Sequence, residues 1–373
     1  MKENIYEDYM LDYIKEEPDY LKILIANKEE ISRDFVSFFQ SHKIKRVYFS
    51  ACGTPHYASV IIQYFIMKML RVDATSTYPM LFNHHEEFNV NGVYKPDEMV
   101  LICPAHSGRT KGPVMAAKKA KSLGIPVICT TLNPNGVLAK ECTVVIKKIS
   151  GVEKSYPESK GHFVTIATLL ICIIEAAYQM GYIEQDEYMS YYQDFDRLDH
   201  SCRDAFDKTV IWYDKHKQLL INSDCFRFIG YGANYATVQE ASLKWLESTL
   251  KVCLPFELEE FMHGPDLAVK DTVMFYISAE AGKEKERIHQ LMEWSKKYTP
   301  YNILVTNTNN QYADEMSLTA DFVDREFLSC LEYLIPFQVI AHLLARDLGF
   351  STITPPIELA WNELDTKYEV ELT

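Results

Sequence analysis

The chain repeats itself, and a repeat of this kind leaves few folds open. A first copy begins Arg46-Val47-Tyr48-Phe49-Ser50-Ala51-Cys52-Gly53-Thr54, an apolar run entering a small-residue turn, and continues as a helical pattern over about residues 57–70. A second begins Arg227-Phe228-Ile229-Gly230-Tyr231-Gly232-Ala233-Asn234 and continues as a helical pattern over about 236–250. Each copy then shows an acidic lead-in to another apolar run: Asp97-Glu98-Met99-Val100-Leu101-Ile102-Cys103 and Asp271-Thr272-Val273-Met274-Phe275-Tyr276-Ile277. After a further helix comes a third run, Pro126-Val127-Ile128-Cys129-Thr130 and Asn302-Ile303-Leu304-Val305-Thr306. The third runs end in similar turn residues, Leu132-Asn133-Pro134-Asn135 and Asn307-Thr308-Asn309-Asn310. Short apolar runs that do not alternate and are separated by helices are strands buried on both faces, which means parallel sheets covered by helices. The expected fold is α/β: two domains from a duplication, each a doubly wound parallel sheet with flanking helices, an α-β-α sandwich. A single large Rossmann-like domain is the competing reading. In either, ligands bind beyond the carboxyl ends of the strands.

The 373 residues suffice for two domains, and 47% hydrophobic with 24% charged residues supports a real core. Expected boundaries are an N-terminal helical segment over 1–45, a first domain over 46–182, and a helical linker over 183–220. A second domain follows over 221–350, with a tail over 351–373. Residues 9–39 carry helical periodicity, interrupted at Glu17-Pro18. A net charge of −14 argues against a nucleic-acid partner, whose backbone demands a basic footprint. The start, Met1-Lys2-Glu3-Asn4, does not read as a signal peptide. Residues 163–174 are apolar but too short to span a bilayer, and read as a core helix. Nine scattered cysteines, including Cys52, Cys103, Cys129 and Cys172 in apolar runs, read as buried reduced thiols of a cytoplasmic protein. They show no metal-ligand spacing.

Three constellations fall where a ligand is expected. His106-Ser107-Gly108-Arg109-Thr110 follows the strand ending at Cys103 and precedes a helix from about Pro113. Hydroxyls and free N–H groups at a helix N-terminus bind anions, and Gly108 lets the backbone approach closely. An ordinary N-cap is the plainer alternative. The second copy has Ala279-Glu280-Ala281-Gly282-Lys283 at this place, without hydroxyls, so the first domain alone is expected to hold phosphate. In Glu240-Ala241-Ser242-Leu243-Lys244-Trp245-Leu246-Glu247, the spacing puts Glu240, Lys244 and Glu247 on one helix face. That face is either a solvated salt-bridged surface or, since the helix starts at a glycine turn, part of the ligand crevice. Glu257-Leu258-Glu259-Glu260-Phe261-Met262-His263-Gly264-Pro265 reads as a turn presenting an imidazole, either a surface histidine or a general acid/base.

Together these motifs resemble the tandem sugar-isomerase (SIS) family. The likeness is greatest to the isomerase half of glutamine–fructose-6-phosphate amidotransferase and to the fructosamine-6-phosphate deglycases. It covers nearly the whole chain, including Met10-Leu11 and Ile14-Lys15-Glu16-Glu17-Pro18 at the entry. The resemblance implies that Glu247 moves a proton between C1 and C2, assisted by Lys244, while His263 aids ring opening from a neighbouring subunit. It places Ser107, Gly108, Thr110 and His106 at the phosphate, and Cys52, Gly53 and Thr54 along the sugar. Ser159 joins the substrate-binding residues, and Lys367 resembles the C-terminal lysine that closes over the substrate. No metal and no cofactor are implied, because the amine or ketone of the substrate serves as electron sink.

Two departures shape the expected function. No glutaminase domain is visible: its nucleophilic cysteine would follow Met1, where this sequence has Lys2, so glutamine is not expected as ammonia donor. The loop Glu153-Lys154-Ser155-Tyr156-Pro157-Glu158-Ser159-Lys160 is bulkier than in the synthase. Glu158 either meets an amino group on the substrate or is an outward surface charge. The expectation is a deglycase or deaminase acting on a fructosamine- or glucosamine-type 6-phosphate, that is, a phosphorylated amino sugar or glycated amino acid. It is expected to work as a homodimer or larger assembly, with no membrane partner. A ketose/aldose phosphate isomerase without C–N cleavage and a non-catalytic phosphosugar sensor are the alternatives.

Overall fold

Ten strands form two parallel five-stranded sheets in this computed structural model, which describes residues 8–85, 88–89, 92–279, 282 and 284–369. The first sheet contains β1 (Arg46–Ser50), β2 (Asp73–Thr77), β3 (Met99–Pro104), β4 (Val127–Thr131) and β5 (Val144–Lys147), in the order β2-β1-β3-β4-β5. The second contains β6 (Cys225–Gly230), β7 (Val252–Glu257), β8 (Val273–Ser278), β9 (Asn302–Asn307) and β10 (Leu318–Ala320), in the order β7-β6-β8-β9-β10. The two orders are the same. In each, strand order reverses beside the first strand, opening a crevice at the carboxyl ends of the first and third strands of the copy.

The duplication extends to backbone angles. Gly53 (φ 60°, ψ −140°) and Gly232 (φ 53°, ψ −134°) both sit in a region reserved for glycine, each at the N-cap of a seventeen-residue helix. Those helices, Thr54–Leu70 and Ala233–Thr249, both end in a left-handed residue, Arg71 and Leu250. The central strands β3 and β8 are buried at every position, which explains their unalternating sequence.

The chain packs as two compact units. One takes Asp19–Val152, Lys160–Gln193 and the tail from Ile357 onward, and contains the first sheet. Its core includes Tyr48, Phe82, Leu101, Val114 and Val127, with Tyr368 of the tail packed against it. The apolar run 163–174 lies in a longer helix, Lys160–Gln179, which among the described residues is long and apolar enough to cross a membrane by length and composition, but 94% of its apolar window is buried inside the protein, as expected of a core helix. The other unit takes the N-terminal stretch to Pro18, Glu153–Ser159 and Asp194–Pro356. Phe226, Phe228, Trp245, Phe275 and Phe337 form its aromatic centre, with ring centroids 5.0–5.7 Å apart.

Two expectations need correcting. The helix Tyr9–Ala26 runs through Pro18 without a break. The interruption falls at Asn27, whose side-chain amide donates to the Ile23 carbonyl (2.8 Å) and competes with helix propagation. All nine cysteines are free, but Cys52 is exposed rather than buried. It lies past the end of β1, where the chain has left the sheet for the crevice.

Candidate active site

The His106–Thr110 segment links β3 to the helix Lys111–Ser122. Its backbone is held against the turn after β4: the N–H of Leu132 donates to the His106 carbonyl (2.9 Å), and that of Leu138 to the Gly108 carbonyl (3.2 Å). Gly108 has φ 66°, and a Cβ there would stand 2.8 Å from Thr131 Oγ1, so conformation and space both demand glycine. Thr110 occupies the N-cap, yet its hydroxyl makes no capping hydrogen bond. An ordinary N-cap therefore does not account for it. The Arg109 N–H donates to Ser107 Oγ (3.4 Å).

The Cys52–Thr54 turn lies beside this loop. A side chain at Gly112 would meet Pro79 at 2.8 Å and Cys52 Sγ at 4.0 Å. Thr54 is buried at the start of its helix, and Gly53 supplies the positive φ. One turn on, His56 is buried and stacked on Tyr78 (centroids 4.0 Å apart), and burial pushes its imidazole down to about 4, so it is neutral at physiological pH. The tail reaches the same loop. Lys367 pairs with Thr110 in an antiparallel bridge, the Lys111 N–H donates to the Thr366 carbonyl (2.9 Å), and the Tyr368 N–H to the Arg109 carbonyl (2.9 Å). Cys52, Gly53, Thr54, His106, Ser107, Gly108, Thr110 and Lys367 thus belong to one unit.

The remaining site residues belong to the other unit. In the helix Ala233–Thr249, Lys244 Nζ lies 2.7 Å from Glu247 Oε2 and 3.4 Å from Glu240 Oε1. The side chains of Glu240 and Lys244 are 0% and 1% exposed, whereas that of Glu247 is 31% exposed. The face is therefore a buried charge cluster with one carboxylate open to solvent, not a solvated surface. Burial alone would favour the neutral amine at Lys244; Glu240, Glu247 and, more weakly, Glu158 outweigh it and hold the ammonium well above the ordinary lysine range.

Glu158 reaches this cluster through a clamped loop. The Tyr156 hydroxyl donates to the carbonyls of Glu247 (2.9 Å) and Ser351 (3.1 Å), and burial followed by Glu247 raises its pKa. Ser159 is fully buried, its N–H and hydroxyl both donating to Glu153 Oε2 (3.0 and 2.9 Å). That bond commits the Ser159 hydroxyl to shaping the loop. His263 is exposed, after the one-turn helix Leu258–Phe261. The Glu257 carboxylate caps that turn by accepting from the N–H groups of Glu259 (2.8 Å) and Glu260 (3.0 Å), so the segment expected as a turn contains a capped helical turn.

The second copy of the crevice differs from the first. A cavity of about 180 Å³ there is lined by Tyr231, Gly232, Asn234, Ala279, Gly282 and Ser329. Tyr231 donates to the Ala279 carbonyl (3.1 Å) and stands where a Gly282 side chain would go. Glu280, Ala281 and Lys283 lie outside the described residues. Sequence reasoning missed Lys148, which is buried at the end of β5 with its Nζ 3.2 Å from His106 Nδ1. Its only signal was the pair Lys147-Lys148 closing a short apolar run.

Paired 2-1-3-4-5 parallel sheets, with a hydroxyl-rich glycine loop at one crevice and a buried carboxylate–lysine cluster on the helix of the other copy, define a duplicated, doubly wound class of α/β protein. Residues 42–174 match the SIS domain. Over 360 residues the sequence is 22% identical to a glutamine–fructose-6-phosphate aminotransferase (isomerizing) of Caldanaerobacter subterraneus subsp. tengcongensis. That alignment covers 94% of this chain but 58% of the relative, so the chain spans less than two thirds of the length of its curated relative. A candidate phosphosugar isomerase of Clostridium difficile 630 superposes with a TM-score of 0.86 at 20% identity, over 96% of this chain and 99% of that one. Glucosamine-6-phosphate deaminase of Thermotoga maritima superposes with a TM-score of 0.69 at 18% identity, over 93% and 97%.

Proposed function

We propose that the chain is a cytoplasmic phosphosugar deglycase or deaminase that releases an amine from a fructosamine- or glucosamine-type 6-phosphate. The observation that carries the reading is the Glu240–Lys244–Glu247 cluster. A carboxylate that takes a proton from a carbon beside a carbonyl must be ionised yet reachable, and Glu247 is the partly exposed member, held by a permanently charged lysine. Glu240 keeps that lysine charged despite full burial.

With a glucosamine-type substrate, Glu247 takes the C2 proton and returns it to C1, leaving an imine at C2. Water adds to the imine, and ammonia leaves with a ketose 6-phosphate as the other product. With a fructosamine-type substrate the proton moves from C1 to C2, and hydrolysis of the C1 imine yields the free amine and an aldose 6-phosphate. The His106–Thr110 loop holds the phosphate, Cys52, Gly53 and Thr54 line the sugar, and Ser159 shapes the loop beside the helix. His263, exposed on its own chain, serves the site of a second copy in a homodimer or larger assembly.

Glu158 favours amine chemistry over plain isomerisation. With it, three carboxylates act on one lysine, an excess negative charge that attracts a substrate ammonium, which a plain sugar phosphate lacks. The test is incubation with fructoselysine 6-phosphate, glucoselysine 6-phosphate and glucosamine 6-phosphate in D2O. Amine release with solvent deuterium at C1 or C2 is expected. Exchange on fructose 6-phosphate without any amine release would establish the isomerase instead, and binding without exchange would establish a sensor. Glu158→Gln is expected to lose preference for amine-bearing substrates; an unchanged preference removes Glu158 from recognition.

A further inference from the structure

The helix Ala233–Thr249 ends on a cavity of about 280 Å³, room for about nine water molecules at ~30 Å³ each. Ser248 and Leu250 at that helix end line it, with Tyr156 and with Phe350, Pro355 and Pro356 from the segment after the helix Leu334–Leu348. All of these residues belong to one unit. None of Glu240, Lys244 and Glu247 lines the cavity, so it is separate from that cluster. Ser248 is 0% exposed, and its hydroxyl has no hydrogen-bond partner among the described residues. A serine or threonine inside a helix can donate to the carbonyl four residues back, as the Thr249 hydroxyl does to Trp245 (2.7 Å). Ser248 forgoes that bond. Buried hydroxyls are seldom left unpaired, so one unpaired at the wall of a cavity marks the place of a polar occupant.

The surroundings set the charge and shape of that occupant. Both helices end here in a left-handed residue, Leu250 and Gly349, and so bring the negative ends of their dipoles to the cavity. The Tyr156 hydroxyl has its one proton engaged by the carbonyls of Glu247 (2.9 Å) and Ser351 (3.1 Å), which leaves its oxygen as an acceptor. No charged side chain lines the cavity among the described residues. The neighbouring Lys251 is turned to the carbonyls of Ile221 (3.0 Å) and Ser223 (2.6 Å), so it does not fill the place. Leu250, Phe350, Pro355 and Pro356 supply apolar wall. We propose that this cavity is a second binding site, for a primary ammonium group on a short aliphatic chain. The Ser248 and Tyr156 oxygens accept from the ammonium, and the hydrocarbon packs on the apolar wall. The occupant thereby touches the hydroxyl that holds the backbone carbonyl of Glu247.

The site does not rest on the proposed reaction, because binding is read without turnover. The probe is n-butylammonium chloride, titrated by NMR into the full chain at constant ionic strength beside n-butanol and sodium butyrate. The ammonium should bind about tenfold or more tighter than either analogue, with nuclear Overhauser contacts between its butyl chain and the Phe350 ring. Ser248→Ala should weaken it about fivefold or more while its urea midpoint stays at or above that of the native chain, since an unpaired buried hydroxyl is lost. Equal binding of butanol would overturn the cation assignment. Ammonium binding without contacts to Phe350, or no binding at all, would overturn the site. A fall in the Ser248→Ala midpoint would show the hydroxyl to be paired in the native chain, and the inference fails with it.

Discussion

Replacing Lys244 with methionine tests the electrostatic design of the proposed site most directly. The substitution roughly keeps volume but removes the ammonium 2.7 Å from Glu247 and 3.4 Å from Glu240. Glu247 can turn to water; Glu240, at 0% exposure, cannot. Stripping one partner from a buried ion pair costs about 3–5 kcal/mol. A second route bounds this figure, since Glu240 escapes by binding a proton. Starting from an unfolded-state pKa near 4.3, that costs about 1.4 kcal/mol per pH unit, or about 4 kcal/mol at pH ~7.5. The sign follows. In the variant the folded pKa of Glu240 lies above its unfolded value, so between the two the native state holds more protons and stability falls as pH rises. In the native chain the raised pKa belongs to Lys244, whose contribution is complete below the unfolded lysine value of about 10.5 and is lost only at higher pH. Urea denaturation of both proteins at pH ~5.5 and ~7.5 should therefore show a deficit of about 4 kcal/mol that shrinks to about 2 kcal/mol at the lower pH. Adding Glu240→Gln should recover much of it. A deficit below about 1 kcal/mol, or one equal at both pH values, would refute the reasoning.

Glu247→Gln should cut substrate hydrogen exchange by about a hundredfold or more while leaving phosphate binding intact, measured by NMR in D2O and by calorimetry. Gly108→Ala should cost about 1–3 kcal/mol from its positive φ and the contact with Thr131 Oγ1, and should also weaken phosphate binding; urea midpoints and calorimetry read the two effects. Glu332 is buried and accepts from the N–H groups of Val323 and Asp324 (both 2.8 Å) and from Ser201, yet burial pushes its carboxyl up to about 8. Its folded pKa exceeds the unfolded value, so stability should fall as pH rises from about 4.5 to 8, and Glu332→Gln should flatten that slope in a series of urea titrations.

The comparison of sequence and structure divides along physical lines. Central strands were legible because burial on both faces writes a continuous apolar run, as in β3 and β8. Edge strands were not. Asp73-Ala74-Thr75-Ser76-Thr77 is polar and part-exposed, and β10 is three residues long, so neither carries a periodic signal. The face Glu240–Lys244–Glu247 followed from helical spacing, but spacing is silent on depth: the same three residues could have been solvated. Lys148 had no visible role, because what matters about it is its contact with His106, 42 residues away in sequence.

The sequence by itself determined the duplication, the parallel sheets and the two glycine turns, since these depend on residue size, hydrophobic runs and positive φ within a few neighbours. Tertiary packing alone decided which carboxylate is buried and which faces solvent. It also assigned residues 153–159 to the unit of the Ala233–Thr249 helix and the tail to the His106–Thr110 loop. Burial and charge proximity are set by atoms many residues apart, and a local pattern holds no record of them.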